Sequence, residues 1–423
     1  MAGQSYWGNS GDATHAEIVN PKLAKEIFTK TSWKTLVGRL NGGRYVKTQT
    51  MRFGRSIDIG NSSIIQEKSV TEGNEFRMTL MEDLEGMPGG YGDSDVVTGD
   101  FTEYKHSKGW INQIDSKAWQ LPGRCSQKQA KSVITDPKGD LMAQMTKWTA
   151  QEIDYEFVRA ALLGASRNLL LSTNGGLGVT LPGASAGQFR SCYHFYVPGT
   201  GLVSASRTRA THEAAVATAL DTLANSSTYH FGLTEHDKVG NICEQYYKEE
   251  ATIGGSSYKT IAVVDRALLW RLFARGGDLE TLMKYARERA KSNPALNHMD
   301  AYDMDGVLYI PYRGIESFRP STSGGLPVYG CGLDSDPRSY SNSSKIALGM
   351  FMGAKSFLRG KDMSWNVTMK QKDHQKGWEY ACHWDDGFVR NEWDAKDGRT
   401  EMENPHMFIG AWYDAGIGTA IGS

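Results

Sequence analysis

From Asp140 to Gly164 the apolar positions follow a helical period. Leu141, Trp148, Tyr155 and Leu162 recur at seven-residue spacing and fall on one side of a helix. Met142, Ile153, Phe157 and Ala160 make a second apolar stripe roughly opposite, and Lys147, Gln151 and Asp154 are left on a narrow polar strip. Asp136 and Pro137 break the chain ahead of the helix, Asp140 suits the N-cap, and Gly164 is placed as a C′ stop. A surface helix needs one apolar side. This one has two, which predicts a spine held between two layers. On that reading, Trp148→Ala costs about 3–5 kcal/mol, the range for an aromatic removed from a core.

Around this helix the pattern is mostly extended. Residues 1 to about 20 are small and polar and read as a loose arm, followed by a short helix from Pro21 to Leu36 and short β-like runs from Arg44. Phe76, Met78 and Leu80 alternate with Arg77 and Thr79, as in a strand with one buried face. A turn-rich stretch, Glu85 to Asp95, separates it from a second extended run between Phe101 and Leu121. So long a polar tip within a compact domain needs a functional reason. A projecting hairpin arm that grips a neighbour supplies one.

Beyond the spine come a Gly-rich loop from Asn174 to Gly187 and a strand from Tyr193 to Val197. Helices follow from Thr211 to Ala224 and from Thr234 toward Tyr247, then a strand from Tyr258 to Val264. Helices at Arg266 to Ala274 and Asp278 to Ala290 lead to a strand, Gly306 to Pro311, entered through an Asp-Gly turn. This alternation reads as an α/β block. Residues 313–344, rich in Ser, Gly and Pro, read as a loop or return linker. The runs after Lys345 are expected to pair as an antiparallel sheet beside the spine.

Glycine, 47 of 423 residues, favours turns and extended loops over a helical bundle. The formal net charge of -1 offers no general field for DNA or an anionic membrane. Cys125, Cys192, Cys243, Cys331 and Cys382 are odd in number and scattered, which argues for reduced thiols rather than a disulfide framework or zinc ribbon. The first residues lack a signal-peptide pattern and no apolar run is long enough to span a bilayer, so the protein is expected to be made and kept soluble inside a cell.

Motifs that could carry chemistry fail on context. Gly183 to Gly187 matches G-x-S-x-G around Ser185, but Pro182 and loop surround it where a nucleophile elbow needs a strand and a helix. His212-Glu213 opens like a zinc-protease helix, yet Val216 stands where the second histidine must be; the pair reads as the first turn of a helix capped by Thr211. In Gly349 to Ser356, Ala354 intrudes between the glycine and the lysine of a phosphate-binding loop. The clusters Asp93-Asp95-Asp100 and Asp300-Asp303-Asp305 lack the spacing of a calcium loop and read as solvated turns. His374, Cys382, His383, Asp385 and Asp386 fit exposed positions of an alternating strand equally well. No catalytic, cofactor or metal residue is assigned.

The order of the blocks carries a resemblance. NEFRMTLMEDLEG, DFTEYKHSKGWINQIDSKAWQLPGRCSQKQ, the spine helix, the run from Tyr258 to Pro311, SKIALGMFMGAKSFLRG, WNVTMKQKDHQKGWEYACHWDDG and HMFIGAWYDAG together resemble the major capsid proteins of tailed phages. More narrowly, they resemble the N-four-like podovirus head proteins, from about residue 20 onward. The resemblance implies an α+β, Hong Kong 97-type fold. It implies an N-terminal arm and short helix (1–69), an extended hairpin loop (70–123), and a peripheral domain with the spine helix (124–199). An axial domain (200–344) and a returning peripheral β-sheet (345–423) complete it. It also implies a non-enzymatic shell protein of the virion, assembled in the host bacterial cytoplasm. Its partners would be copies of itself in pentamers and hexamers, a portal protein at one vertex, scaffolding and decoration proteins, and double-stranded DNA enclosed without sequence-specific binding; no membrane and no cofactor are implied. An encapsulin-like compartment is the near alternative, with a serine or metal-dependent hydrolase and a tail-tube or adhesion protein further off.

Overall fold

The computed structural model describes residues 37–39, 44–45, 64–69, 75–81, 104–110, 112–114, 119–122, 137–166, 192, 194–203, 209–226, 228–246, 250–253, 256–273, 278–296, 300–323, 325–331, 336–339, 343–361, 366–372, 377–391 and 406–414. The expected arm and helix before Leu36 and the loop from Asn174 to Gly187 lie outside them.

Two seven-stranded sheets flank the spine. The first, here the central sheet, runs in the order Tyr302–Met304, Val307–Pro311, Thr260–Val264, Ile346–Met352, Met407–Tyr413, Phe195–Val197, Gly201–Val203. Thr260–Val264 pairs parallel with Val307–Pro311, joined through helices Arg266–Phe273 and Asp278–Lys291, and antiparallel with Ile346–Met352. Strand alternation sorts its side chains to two faces. Ile261, Val263, Leu308, Leu348, Met350 and Ile409 join a core shared with helix Arg209–Ala224 and the spine. Ala262, Val264, Tyr309, Phe351, Phe408 and Trp412 join a second core under helices Leu233–Tyr246, Arg266–Phe273 and Asp278–Lys291. Asp305 and Gly306, with φ of 49° and 82°, make the tight turn between Tyr302–Met304 and Val307–Pro311. The Asp-Gly pair predicts this, because both central residues of such a turn need positive φ.

Gly349 and Gly410 face each other across the middle of this sheet. Their missing side chains make room for rings: a Cβ at Gly349 would lie 2.9 Å from Phe351, and one at Gly410 would run into Trp412. Phe351 and Phe408 stack beside them at 4.5 Å. Gly410→Ala is expected to destabilise the chain by about 1–3 kcal/mol through overpacking. Denaturant unfolding of the variant checks this, and an unchanged midpoint would show that the ring moves aside freely.

The second sheet runs Val37–Arg39, Ile65–Ser69, Phe357–Lys361, Gly377–Arg390, Asn366–Lys372, with Asn112–Ile114 and Trp119–Pro122 also pairing along Gly377–Arg390. The runs after Lys345 therefore do not form one sheet beside the spine. Ile346–Met352 and Met407–Tyr413 lie in the middle of the central sheet, while Phe357–Lys361, Asn366–Lys372 and Gly377–Arg390 lie in the second. Nor is 313–344 simply a loop: it holds the 3-10 turn Arg313–Phe318 and the hairpin Pro320–Ser323 with Leu326–Tyr329. Glu75–Met81 pairs antiparallel with Tyr104–Trp110, from Glu75 opposite Trp110 to Met81 opposite Tyr104.

Candidate functional site: the charged face of the spine helix

The spine spans Pro137–Leu163. Pro137 opens it instead of breaking the chain ahead of it, since proline fits the first helical position, where its missing N–H is no loss. Its end falls as the sequence predicts: Gly164 has φ 95° and donates its N–H to Ala160 O at 3.0 Å. The buried Arg390 guanidinium donates to Ala161 O at 2.8 Å, placing a positive charge at the negative end of the helix dipole. Ser166 N–H then donates to Phe388 O and Arg390 N–H to Gly164 O, so the chain leaves the spine along the strand Gly377–Arg390.

Burial rises along the helix. Ala143, Gln144 and Lys147 are exposed, Trp148 and Tyr155 are half-buried, and from Glu152 to Leu163 every other residue is buried. Trp148 therefore packs at the edge of the core, and its truncation is expected to cost less than a full core aromatic. Phe157, on the second stripe, occupies the central position, 4.8 Å from Phe357 and 6.1 Å from Phe388 ring to ring. Asp154 is 5% exposed and is not on a wet strip. The other two residues of that strip stay wetter, Lys147 exposed and Gln151 half-buried, so burial reaches the strip only at Asp154.

Glu152, Glu156 and Arg159, on another side of the helix from Asp154, carry a buried charge network. Arg159, 1% exposed, bonds Glu152 at 3.1 Å and also Glu156. Burial alone would push its guanidinium pKa down, but Glu156 and Glu152 outweigh that and raise it, so it stays charged. Its far side lies over the Phe318 ring at 5.9 Å. Arg338 donates to the other oxygen of Glu152 at 3.0 Å and sits 5.2 Å from the Trp148 ring and 5.9 Å from Tyr155. A carboxylate between two arginines, with aromatic faces beyond them, binds distant segments together; it holds no nucleophile. The nearby Cys331 thiol is pushed up by burial, with Arg159 pulling the other way, and so stays protonated.

The motif residues fall elsewhere. Ser185, Asp93, Asp95, Asp100 and His374 lie outside the described residues. The helix holding His212 starts at Arg209, so Thr211 lies inside its first turn and is not the cap. His212 and Glu213 are buried, with His212 Nε2 3.0 Å from Cys192 O. Gly349 lies within a strand, and a strand, Phe357–Lys361, follows Ser356 where a phosphate loop needs a helix. Asp300 pairs with Arg287 at 2.7 Å and Asp303 with Arg289 at 3.6 Å. In backbone register His383 faces Asn366, while Asp385 and Asp386 face Gln113 and Asn112. No group of three or more His, Cys, Asp or Glu side chains converges as a metal site among the described residues, and no helix there is long and apolar enough to cross a membrane.

His194, beside this region, carries a pH signature. Burial lowers its pKa from 6.5 to about 4, and the positive charge of His212 adds to the effect. The folded chain thus disfavours the protonated ring. Stability from this group is complete above the unfolded pKa of 6.5 and is lost as pH falls toward 4. Melting temperature is expected to drop between about pH 6.5 and about pH 5, before most carboxylates titrate. His194→Gln should flatten that part of the profile; an identical slope in the variant would remove His194 as its source.

No family model matches the sequence, and no curated protein matches it. Solved structures do. The capsid of Ralstonia phage GP4 superposes with a TM-score of 0.52 at 15% identity, covering 89% of this chain and 91% of that one. The head structure of Helicobacter pylori bacteriophage KHP40 gives 0.51 at 12% identity, covering 91% of this chain and 90% of that one. The fold of this chain is the Hong Kong 97-type fold of phage capsid proteins.

Proposed function

We propose that this chain is the major capsid protein of a tailed phage, assembling with itself into pentamers and hexamers that close an icosahedral head around double-stranded DNA. The observation that carries the reading is the chain-long match to the Ralstonia phage GP4 capsid. In this reading residues 1–69 are the N-terminal arm and 70–123 the extended loop, with the pairing of Glu75–Met81 and Tyr104–Trp110 as its base. Residues 124–199 carry the spine, 200–344 the axial domain, and 345–423 return through both sheets. Limbs laid on neighbours add modest contacts into a stable shell through multivalency. A near-neutral chain suits a container filled from outside rather than one that condenses DNA by charge. A portal protein, scaffolding and decoration proteins are the further partners, and the chain carries no catalysis of its own.

Negative-stain microscopy and sedimentation of the expressed full chain test this. Closed spheres or hexamer sheets are expected. Rods or trimers would replace the reading with a tail-tube or adhesion protein, and a solitary monomer under every assembly condition would end it.

A further inference from the structure

Among the described residues, the large apolar side chains that face solvent are Leu233, Leu282 and Tyr285, 38%, 49% and 63% exposed. All three lie on two helices over the second core, Leu233–Tyr246 and Asp278–Lys291. One exposed leucine by itself means nothing. Here each belongs to a stripe. On Asp278–Lys291, Met283, Ala286 and Ala290 are buried, while Leu282, Tyr285 and Arg289 share an exposed flank by their spacing of three and four. On Leu233–Tyr246, Val239 and Cys243 are buried, and Leu233, Asp237 and Gly240 share the outer flank at a spacing of four and three. A Cβ at Gly240 would meet nothing within 4 Å, so the surface there is open to an incoming side chain. This helix is also fixed to the sheet. Glu235 accepts from Tyr196 OH at 2.7 Å and Trp412 Nε1 at 3.2 Å, and His236 Nδ1 lies 2.7 Å from Tyr309 OH.

We propose that the Leu282–Tyr285–Arg289 stripe of one copy docks on the Leu233–Asp237–Gly240 stripe of a second copy of this chain, Leu282 against Leu233, with Tyr285 and Arg289 on either side of Asp237. Both stripes stay exposed in the single chain, so they do not cover each other and the cover comes from outside. Their charges are complementary. Lys284 to Lys291 holds four basic residues and one acid, whereas Asp237 and Glu244 are exposed along the flank of Leu233, where Lys238 is taken up by Glu235 at 2.8 Å. Gly240 leaves room for the Arg289 guanidinium, and a surface already fixed in place loses little freedom on docking. Phosphates of a nucleic acid fit less well, because Asp300 and Asp303 stand 2.7 and 3.6 Å from Arg287 and Arg289. The choice of a second copy rests on the shell reading. Two different faces meeting head to tail leave one of each open at the ends, so the contact propagates until a ring closes.

Charge reversal and cross-linking in the full chain test the contact, with melting temperature followed in parallel. Arg289→Glu and Asp237→Arg should each raise the concentration at which copies associate, read by sedimentation, about tenfold, and the two together should bring it most of the way back. Tyr285→Ser, which alters no charge, should weaken association as well. Mild oxidation of Leu233→Cys combined with Leu282→Cys is expected to give disulfide-linked ladders above the wild-type background on a non-reducing gel, and either substitution alone should give none. Wild-type association in all three charge and tyrosine variants would overturn the proposal. Linked dimers from Leu282→Cys alone would do the same, by showing a face that pairs with itself. Variants that associate normally but lose retention of duplex DNA would assign the stripe to nucleic acid instead. Particle images separate this contact from the shell reading. A wild type that builds no shell, with a cysteine pair that still links copies, ends the shell reading and keeps the contact. Closed shells whose cysteine pair never links end the contact and keep the shell.

Discussion

Replacing Phe157 with alanine is expected to cost about 3–5 kcal/mol, the largest effect of any single truncation in the spine. The residue is fully buried, and its ring touches Phe357 on one strand of the second sheet and Phe388 on the next. Helix and sheet therefore lose a shared contact and are left with a cavity that they close only by shifting together. Interiors are packed too tightly for that shift to be free. Phe157→Leu, which keeps most of the volume, should cost less than about 1.5 kcal/mol. Denaturant titration of the two variants reads the difference directly. An alanine variant with the wild-type midpoint would mean that the spine is not anchored to the second sheet here.

Arg159→Met is the second large effect, at about 3 kcal/mol, for a different reason. The methionine fills similar volume, so packing is nearly preserved. What is lost is the cation that lies between Glu152 and Glu156. Glu152 keeps Arg338, while the buried Glu156 loses the cation bonded to its Oε1. Removing one member of a buried ion pair costs far more than the intact pair contributes. Adding Glu156→Gln to Arg159→Met should therefore recover most of the loss, although it removes a second charged group. Additive destabilisation in the double variant would show that the network works through packing alone.

The sequence by itself determined those features that depend on neighbours along the chain. Gly164 ends the spine because a residue with positive φ is needed there, and Asp305-Gly306 turns the chain for the same reason. Alternation of Phe76, Met78 and Leu80 marked the strand Glu75–Met81, Tyr258 to Val264 also read as a strand, and the order of blocks pointed to the fold that the structural matches show. Only the tertiary structure decided which strands share a sheet. Ile346–Met352 and Phe357–Lys361 read alike as apolar extended runs, yet one lies in the central sheet and the other in the second. Period two names the faces of a strand and is silent about its partner.

Burial of charge was hidden for a related reason. Glu152, Glu156 and Arg159 share one polar helix face, and nothing near them in sequence shows that a segment more than a hundred residues onward is laid across it. Polarity along a chain predicts exposure only where nothing distant arrives to pair with it, and here Arg338 and Phe318 do arrive.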